Sequence, residues 1–413
     1  MDETDKLGEN DHRRLGKELD LFVFSDLIGA GLPLFTPRGT VIRDQLLSFS
    51  EELQLKNGFE KVFIPHITKE ELYKRSGHWE KFGEELFLVK SQETTDKLVL
   101  KPMNCPHHIQ IYASRPRSYR ELPIRYMEST VQYRDEKKGE LAGLARVRAI
   151  SIDDAHIFCS LEQIEAEFTT ILKMIEEMYK VFNMEFRARL SFRDNSDVYL
   201  GDAEHWKQAQ AILVKVAKKL NLKYDVAEGD AAFYGPKIDI MVTDSLGREW
   251  QCATEQLDFF MPERFGLTYI DSDGKEKPVV LIHKALLGSV ERFLSVYLEH
   301  TSGHLPVWLC PEQVRIATLN DEKSILKLAE NVVEKAKSLG LRVWLDDSNE
   351  TVSKKILQAE HMKVPYVIVI GDKELQSGKV TPRLRADLPK LEPETMNLDA
   401  FLEKVAEDAE ARK

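Results

Sequence analysis

The chain has 413 residues, 43% hydrophobic and 31% charged, with four scattered cysteines and a formal net charge of −11. That length holds two or three domains, and the acidic balance argues against indiscriminate nucleic-acid binding while still allowing a local basic patch for a polyanion. Cys105, Cys159, Cys252 and Cys310 form no CxxC pair, and no stretch resembles a signal peptide or a bilayer span, so a cytoplasmic protein without membrane contact is expected.

Met1–Asn10 is a polar, acidic lead. Gly29–Gly39 is a loop rich in glycine and proline, followed by a helical pattern over Thr40–Lys56 that Asn57-Gly58 closes. Phe59–Pro65 (FEKVFIP) predicts a short strand ended by proline, Lys69–Phe82 is helical at first and contains Ser76-Gly77-His78-Trp79, and Leu98–Lys101 is a strand that runs into PMNCPHH. Val131–Phe158 reads as a hairpin around the polar loop Asp135–Gly143, with Arg146-Val147-Arg148 alternating as a strand. Ser160 and Gln163 form a capping box ahead of an apolar stripe from Ile164 to Phe182, the mark of a core-facing helix. Phe186–Leu190 alternates as a strand and Ala203–Leu220 as a helix. Ala232–Phe260 gives two strands joined at Ser245-Leu246-Gly247. Val279–His283 is apolar, and Gly288–Leu298 is helical.

Many antiparallel strands interleaved with helices imply an α+β domain centred on one large sheet. After His304 the pattern becomes strict β/α alternation through Leu398–Ala411, which builds a smaller, separate α/β sheet. The expected organisation is a lead over residues 1–10, a large domain over 11–303 and a small domain over 304–413.

The chemistry-bearing residues are spread along the chain. Arg134, Arg146 and Arg148 suit an extended triphosphate, because guanidinium forks grip phosphate oxygens and offset developing charge. A solvated hairpin with these arginines paired to Asp135, Glu136 and Glu140 explains the same residues. Cys105, His156 and His283 make a zinc set with one position open, although residues buried singly would leave the same trace, and His107 and His108 compete with Cys105 as the local ligand. Glu136 suits the exocyclic amine of a purine, or a loop ion pair with Lys137 or Lys138. Arg292 follows a helix start at Gly288-Ser289, where free amides favour anions, and it suits a purine face or the outer phosphates, or else a surface ion pair. Lys237 in GPKIDI suits a phosphate, or plain solvation.

Together these residues are recognisable. YRDEKKGELAGLARVR resembles motif 2 of the class II aminoacyl-tRNA synthetases, HKALLGSVERF their motif 3, and FEKVFIP their dimer-forming motif 1. SGHWEKF, KPMNCPHH, DDAHIFC, AFYGPKIDI, QLDF and IHKALLGS are similar to the threonyl-tRNA synthetases, in the family's order. The resemblance implies the class II antiparallel sheet followed by an anticodon-binding domain, without the family's N-terminal editing region, which hydrolyses seryl-tRNA. It implies ATP-dependent ligation of L-threonine to tRNA(Thr) through threonyl-adenylate, by a homodimer, with one zinc per chain and Mg2+ accompanying ATP.

By residue, the resemblance implies zinc on Cys105, His156 and His283. Asp154 receives the threonine hydroxyl, Tyr234 lies near its amine, and Gln251 and Gln256 line the ATP and substrate pocket. Arg134 takes the α-phosphate, Glu136 the adenine amine, Arg146 the outer phosphates and Arg292 the adenine face, while Lys237 assists adenylate formation. His78 lies near the terminal ribose of tRNA, and Asn349, Glu374 and Arg383 read anticodon bases. Two positions depart from the pattern. Where the family commonly has Gly-Phe-Thr-Gln, this chain has Ala149-Ile150-Ser151-Ile152. Ile150 removes an aromatic platform for adenine, and Ile152 removes a polar side chain near the threonine or tRNA end. The alternative reading is a non-catalytic, synthetase-like regulator that binds tRNA or mRNA.

Overall fold

Two compact units divide the chain: one takes Phe24–Pro33 and Leu47–Val296, the other the described parts of Met1–Val23, Leu34–Leu46 and Tyr297–Lys413. The computed structural model describes residues 7–244 and 247–412, so Met1–Lys6 of the polar lead and Ser245 and Leu246 of the predicted turn lie outside the described residues.

The first unit is built on an eight-stranded sheet. In chain order its strands are β1 (Glu60–Lys61), β2 (Ile124–Tyr133), β3 (Ala149–Cys159), β4 (Phe186–Phe192), β5 (Tyr224–Glu228), β6 (Lys237–Thr243), β7 (Glu249–Asp258) and β8 (Val280–Ser289). They lie in the order β5-β4-β6-β7-β8-β3-β2-β1. The two outermost pairs are parallel and every pair between them is antiparallel, the antiparallel-rich sheet of an α+β domain. The central register aligns Gln256 with His283, His283 with His156 and His156 with Tyr126. Residues directly opposite across a ladder share a face, so four distant stretches of sequence meet in one row.

One face of the sheet carries the helix Ile164–Val181, whose buried stripe includes Phe168, Ile171, Ile175 and Tyr179; the Tyr179 hydroxyl donates to the Leu286 carbonyl at 3.3 Å. The other face carries the helix Cys105–Ala113, where Tyr112 stacks on Phe158 of β3 with ring centroids 4.5 Å apart. Buried apolar side chains therefore lock the sheet between helices, at roughly 1.5–3 kcal/mol for each large one buried.

Several local expectations change. FEKVFIP contributes only Glu60–Lys61 as regular strand, because Pro65 and the turn of the chain end the ladder; beyond it the Ile64 amide donates to the Glu128 side chain at 3.0 Å instead. Arg146-Val147-Arg148 is not regular strand either. The Arg148 amide is drawn away to the Gly31 carbonyl at 2.7 Å, and the strand begins at Ala149. Lys69–Phe82, expected to be helical at first, holds two short helices, Glu70–Ser76 and His78–Phe82, divided at Gly77, whose φ of 82° breaks the helix.

The second unit holds a four-stranded sheet of β9 (Val314–Thr318), β10 (Val343–Asp346), β11 (Tyr366–Ile370) and β12 (Arg383–Leu384), in the order β10-β9-β11-β12. The first three are parallel and β12 is antiparallel to β11. Its helices Lys323–Ser338 and Leu398–Glu410 bury Ile325, Val332, Phe401 and Leu402 against Ile316 and Ile368. The predicted strand Lys379–Arg385 splits into Lys379–Val380 and β12, which join different sheets across Pro382.

Candidate active site

A cavity of about 260 Å³ opens on the large sheet, on the face that carries helix Cys105–Ala113. Arg134, Asp154, His156, Tyr234, Gln251, Gln256, His283 and Arg292 all line it, as do Ile150 and Ile152. A larger space of about 730 Å³ lies in the second unit among Tyr366, Leu388 and Lys404 and holds none of the predicted site residues. The chemistry therefore points to the smaller one.

At one end of the cavity the first turn of helix Cys105–Ala113 sets Cys105 beside the His156–His283 ladder pair. One donor atom from each of the three buried residues lies within 4.8 Å of the other two. Nε2 of His156 is 3.1 Å from Nδ1 of His283. Burial pushes the Cys105 thiol up and holds His156 well below the ordinary imidazole range, so in a dry site both are kept neutral unless something cationic binds. A buried thiol and two converging imidazoles are the donor set that suits zinc, so the residues present fit that ion. His107 and His108 are not in the cluster.

Asp154 stands two residues before His156 on the same face of β3. It accepts from the Asn104 amide at 2.9 Å and from Gln132 at 3.4 Å. Tyr234 stacks on the His283 ring with centroids 4.7 Å apart and donates its hydroxyl to Gln256. Together these groups make a small polar end beside the metal-fitting donors.

The other end is cationic. The Arg134 guanidinium lies 4.9 Å over the Phe82 ring, its Nη2 meets the Met103 sulfur at 3.1 Å, and its Nε is buried without a hydrogen bond. Arg292 donates through Nε to the Ala145 carbonyl at 3.0 Å. Glu136 and Arg146, expected at different parts of a nucleotide, pair with each other: Arg146 donates to the Glu136 carboxylate at 2.8 Å and reaches Glu140 at 2.8 Å. Arg148 pairs with Asp135 at 3.1 Å. The solvated-hairpin pairings thus coexist with a cavity flanked by arginines.

Lys237 donates to Asp239 at 2.6 Å. Sequence reasoning missed Asp239, a fully buried carboxylate that also accepts from Ser191 at 2.7 Å and from Gln251 at 2.7 Å. The signal was its i, i+2 relation to Lys237 in a strand. Also missed was Asp153, whose carboxylate accepts from the amides of Leu286, Leu287 and Gly288 at 3.0–3.1 Å and holds the register shift of β8 against β3. His78 stands apart from the cavity. It is fully buried, stacks on Phe82, and has Nε2 3.5 Å from the Cys105 sulfur; burial brings its pKa down to about 3.

In the second unit, Asn349 follows β10, Glu374 follows β11 and Arg383 opens β12. Asn349 and Glu374 lie beyond the carboxyl ends of the parallel strands β10 and β11, whereas Arg383 stands opposite Val367, nearer the other end of β11. Glu374 also accepts from the Gly371 amide at 3.0 Å.

The profile of the tRNA synthetase class II core domain (G, H, P, S and T) matches residues 87–301, and that of the anticodon-binding domain matches residues 313–408. The crystal structure of the RNA-binding domain of threonyl-tRNA synthetase from Cryptosporidium parvum superposes with a TM-score of 0.90 at 37% identity, covering 96% of this chain and 98% of that one. The chain belongs to the class II tRNA synthetases, among the threonyl-tRNA synthetases. The threonine–tRNA ligase of Gloeobacter violaceus is 47% identical over 386 residues, covering 92% of this chain and 61% of that protein. A threonine–tRNA ligase of Thermus thermophilus is 45% identical over 400 residues, 96% of this chain and 60% of that protein. The chain thus spans about three fifths of the length of these threonyl-tRNA synthetase relatives.

Proposed function

We propose that the chain ligates L-threonine to tRNA(Thr) at the expense of ATP, in two steps through threonyl-adenylate. The observation that carries this reading is one cavity with a Cys105–His156–His283 donor cluster and Asp154 at one end and Arg134 and Arg292 at the other. Zinc, when bound by Cys105, His156 and His283, supplies a coordination site for the amine and hydroxyl of threonine. Asp154 receives the threonine hydroxyl, and Tyr234, fixed by Gln256, borders the amine.

The bound carboxylate then faces the α-phosphate. Its oxygen attacks the α-phosphorus in line, and the bond to the bridging oxygen breaks to release pyrophosphate. Arg134 holds the α-phosphate through its unsatisfied Nε, while Arg146 grips the outer phosphates and Glu136 receives the adenine amine. Arg292 covers the adenine face opposite Ile150. Lys237, oriented by Asp239, lends positive charge to the departing oxygens, with Mg2+ accompanying the nucleotide. Gln251, fixed by the same carboxylate, borders the ATP and substrate pocket. His78 serves the terminal ribose of tRNA. Asn349, Glu374 and Arg383 read anticodon bases, from a domain bounded near His304–Pro306.

The protein works in the cytoplasm as a homodimer. Supporting the dimer, Phe63 of FEKVFIP is 82% exposed and Leu27 97% exposed, large apolar side chains that a second copy would cover. No described helix is long and apolar enough to cross a membrane. Threonine-dependent exchange of labelled pyrophosphate into ATP, with serine and valine as controls, tests the reading. Exchange with threonine well above valine is expected. No exchange with any amino acid, together with retained tRNA binding, would replace it by the regulator reading.

A further inference from the structure

His108 was a rival ligand in the sequence, yet the structure gives it a different position, behind His156 rather than beside the cavity. Its Nδ1 lies 2.9 Å from Nδ1 of His156. Its Nε2 lies 3.9 Å from Oε2 of Glu128, and neither of those two buried atoms has a hydrogen bond. On the far side, Nε2 of His283 lies 2.9 Å from Oδ2 of Asp258. The result is a continuous buried row: Glu128, His108, His156, His283, Asp258.

Each end carboxylate is anchored by one oxygen and shows the other to a ring. Oε1 of Glu128 accepts from the Ile64 amide at 3.0 Å. Oδ1 of Asp258 accepts from the amides of Phe260 and Met261 at 2.8 and 2.9 Å. Lys101 also faces Oε2 of Glu128 at 3.8 Å while donating to Thr130 at 2.8 Å, which favours the ionised carboxylate.

The tautomers in this row are set by partners rather than seen directly. A metal held between Nε2 of His156 and Nδ1 of His283 needs the lone pairs of both atoms, which puts the N–H of His156 on Nδ1 and that of His283 on Nε2. Each of those N–H groups has an acceptor in place: Nδ1 of His108 at 2.9 Å for the first and Oδ2 of Asp258 at 2.9 Å for the second. His108, accepting at Nδ1, keeps its own N–H on Nε2, the side that Glu128 occupies. Nε2 of His156 and Nδ1 of His283, 3.1 Å apart, are then the lone pairs left for a cation, with Cys105 beside them.

We infer that His108 and Asp258, with Glu128 behind His108, are positioning residues that fix the tautomers of both ligand imidazoles, so that both ligand lone pairs face the metal. The inference rests on the metal reading of the proposed function and deepens it. His108 takes its place by accepting from a ligand ring, not by binding the ion. Partners of this kind govern ligand orientation and basicity, and losing one weakens metal binding about 10- to 100-fold.

The full chain is loaded with zinc or Co2+, affinity is read by competition with a chromophoric chelator, and the cobalt absorption bands report the donor set. Asp258→Asn keeps the helix cap through Oδ1 but presents an N–H to His283, which reverses that ring. His108→Leu removes the acceptor behind His156, and His108→Asn returns a carbonyl oxygen near the lost Nδ1. Expected are a drop of about 10- to 100-fold in zinc affinity and shifted cobalt bands for the first two, with recovery of both in His108→Asn. Melting curves identify folded variants, and Glu128→Gln substitutes for any that does not fold. Folded Asp258→Asn and His108→Leu chains with wild-type affinity and bands would overturn the inference while leaving the metal reading intact. A wild-type chain that takes up neither metal would remove both.

Discussion

Cys105 sits in PMNCPHH, where three potential ligands crowd together, and only the fold separates them. Its sulfur faces the paired rings of β3 and β8, His108 backs one of those rings, and His107 is buried with neither ring nitrogen hydrogen-bonded. Replacing Cys105 by serine is expected to abolish stoichiometric zinc in metal analysis. In pyrophosphate exchange the same variant should lose most of its preference for threonine over valine, falling towards the roughly 10- to 200-fold that a pocket without a hydroxyl-specific contact provides. Ile150 makes a second residue-level case. It lines the cavity with Arg292, where an aromatic ring would offer a flat face to a purine. Ile150→Phe is expected to lower KM for ATP several-fold, since aromatic stacking contributes about 0.5–1.5 kcal/mol beyond area burial. An unchanged or raised KM would place the adenine elsewhere.

At the scale of elements, the site depends on how β8 departs from regular pairing with β3. Between Ala285 and Ser289 the register shifts, and the amides of Leu286, Leu287 and Gly288 turn to the buried Asp153 carboxylate. Gly288 has φ 72°, and a Cβ there would stand 2.4 Å from the Cys252 carbonyl oxygen, so the bend admits no side chain. The bend feeds directly into helix Val290–Thr301 and aims Arg292 at the cavity. Asp153→Ala strands several buried N–H groups, each costing about 1–3 kcal/mol. A loss of at least about 3 kcal/mol in denaturant unfolding is therefore expected, with reduced ATP affinity in whatever folds. Asp153→Asn should fall between, since one oxygen still accepts. The capping box at Ser160 and Gln163 and the apolar stripe behind it were legible because they are local, governed by spacing along one helix. The true conformation of Arg146–Arg148 was not legible, because the carbonyl of Gly31, more than a hundred residues away, captures the Arg148 amide.

For the whole molecule, metal binding and folding share one free energy. The candidate ligands from the helix at Cys105 and from two strands meet only in the folded chain, so zinc bound there would stabilise it by about 2.7 kcal/mol at a free concentration one hundred times its dissociation constant. Stripping zinc with a chelator is expected to lower Tm by several degrees in calorimetry, reversibly on adding zinc back, and to leave a Cys105→Ser chain unaffected. The exposed apolar residues lead to a second measurement. Phe63→Glu is expected to shift light-scattering mass from dimer towards monomer at low micromolar concentration, because a charge would have to be buried at the contact.

The amino-acid sequence by itself determined the α+β and α/β alternation, the helix caps and core stripes, and, through motif resemblance, some of the residues that line the cavity. Those follow from short-range periodicity, turn chemistry and motif order, which need no knowledge of distant neighbours. Only the tertiary structure decided that His156 and His283 are ladder partners, that Asp239 and Asp153 anchor the polar network, and that His108 stands behind a ring rather than among the donors. The reason is physical: hydrogen-bond partners of buried groups are chosen by sheet register and helix placement, and residues more than a hundred positions apart acquire their roles only when the backbone brings them within about 3 Å of each other.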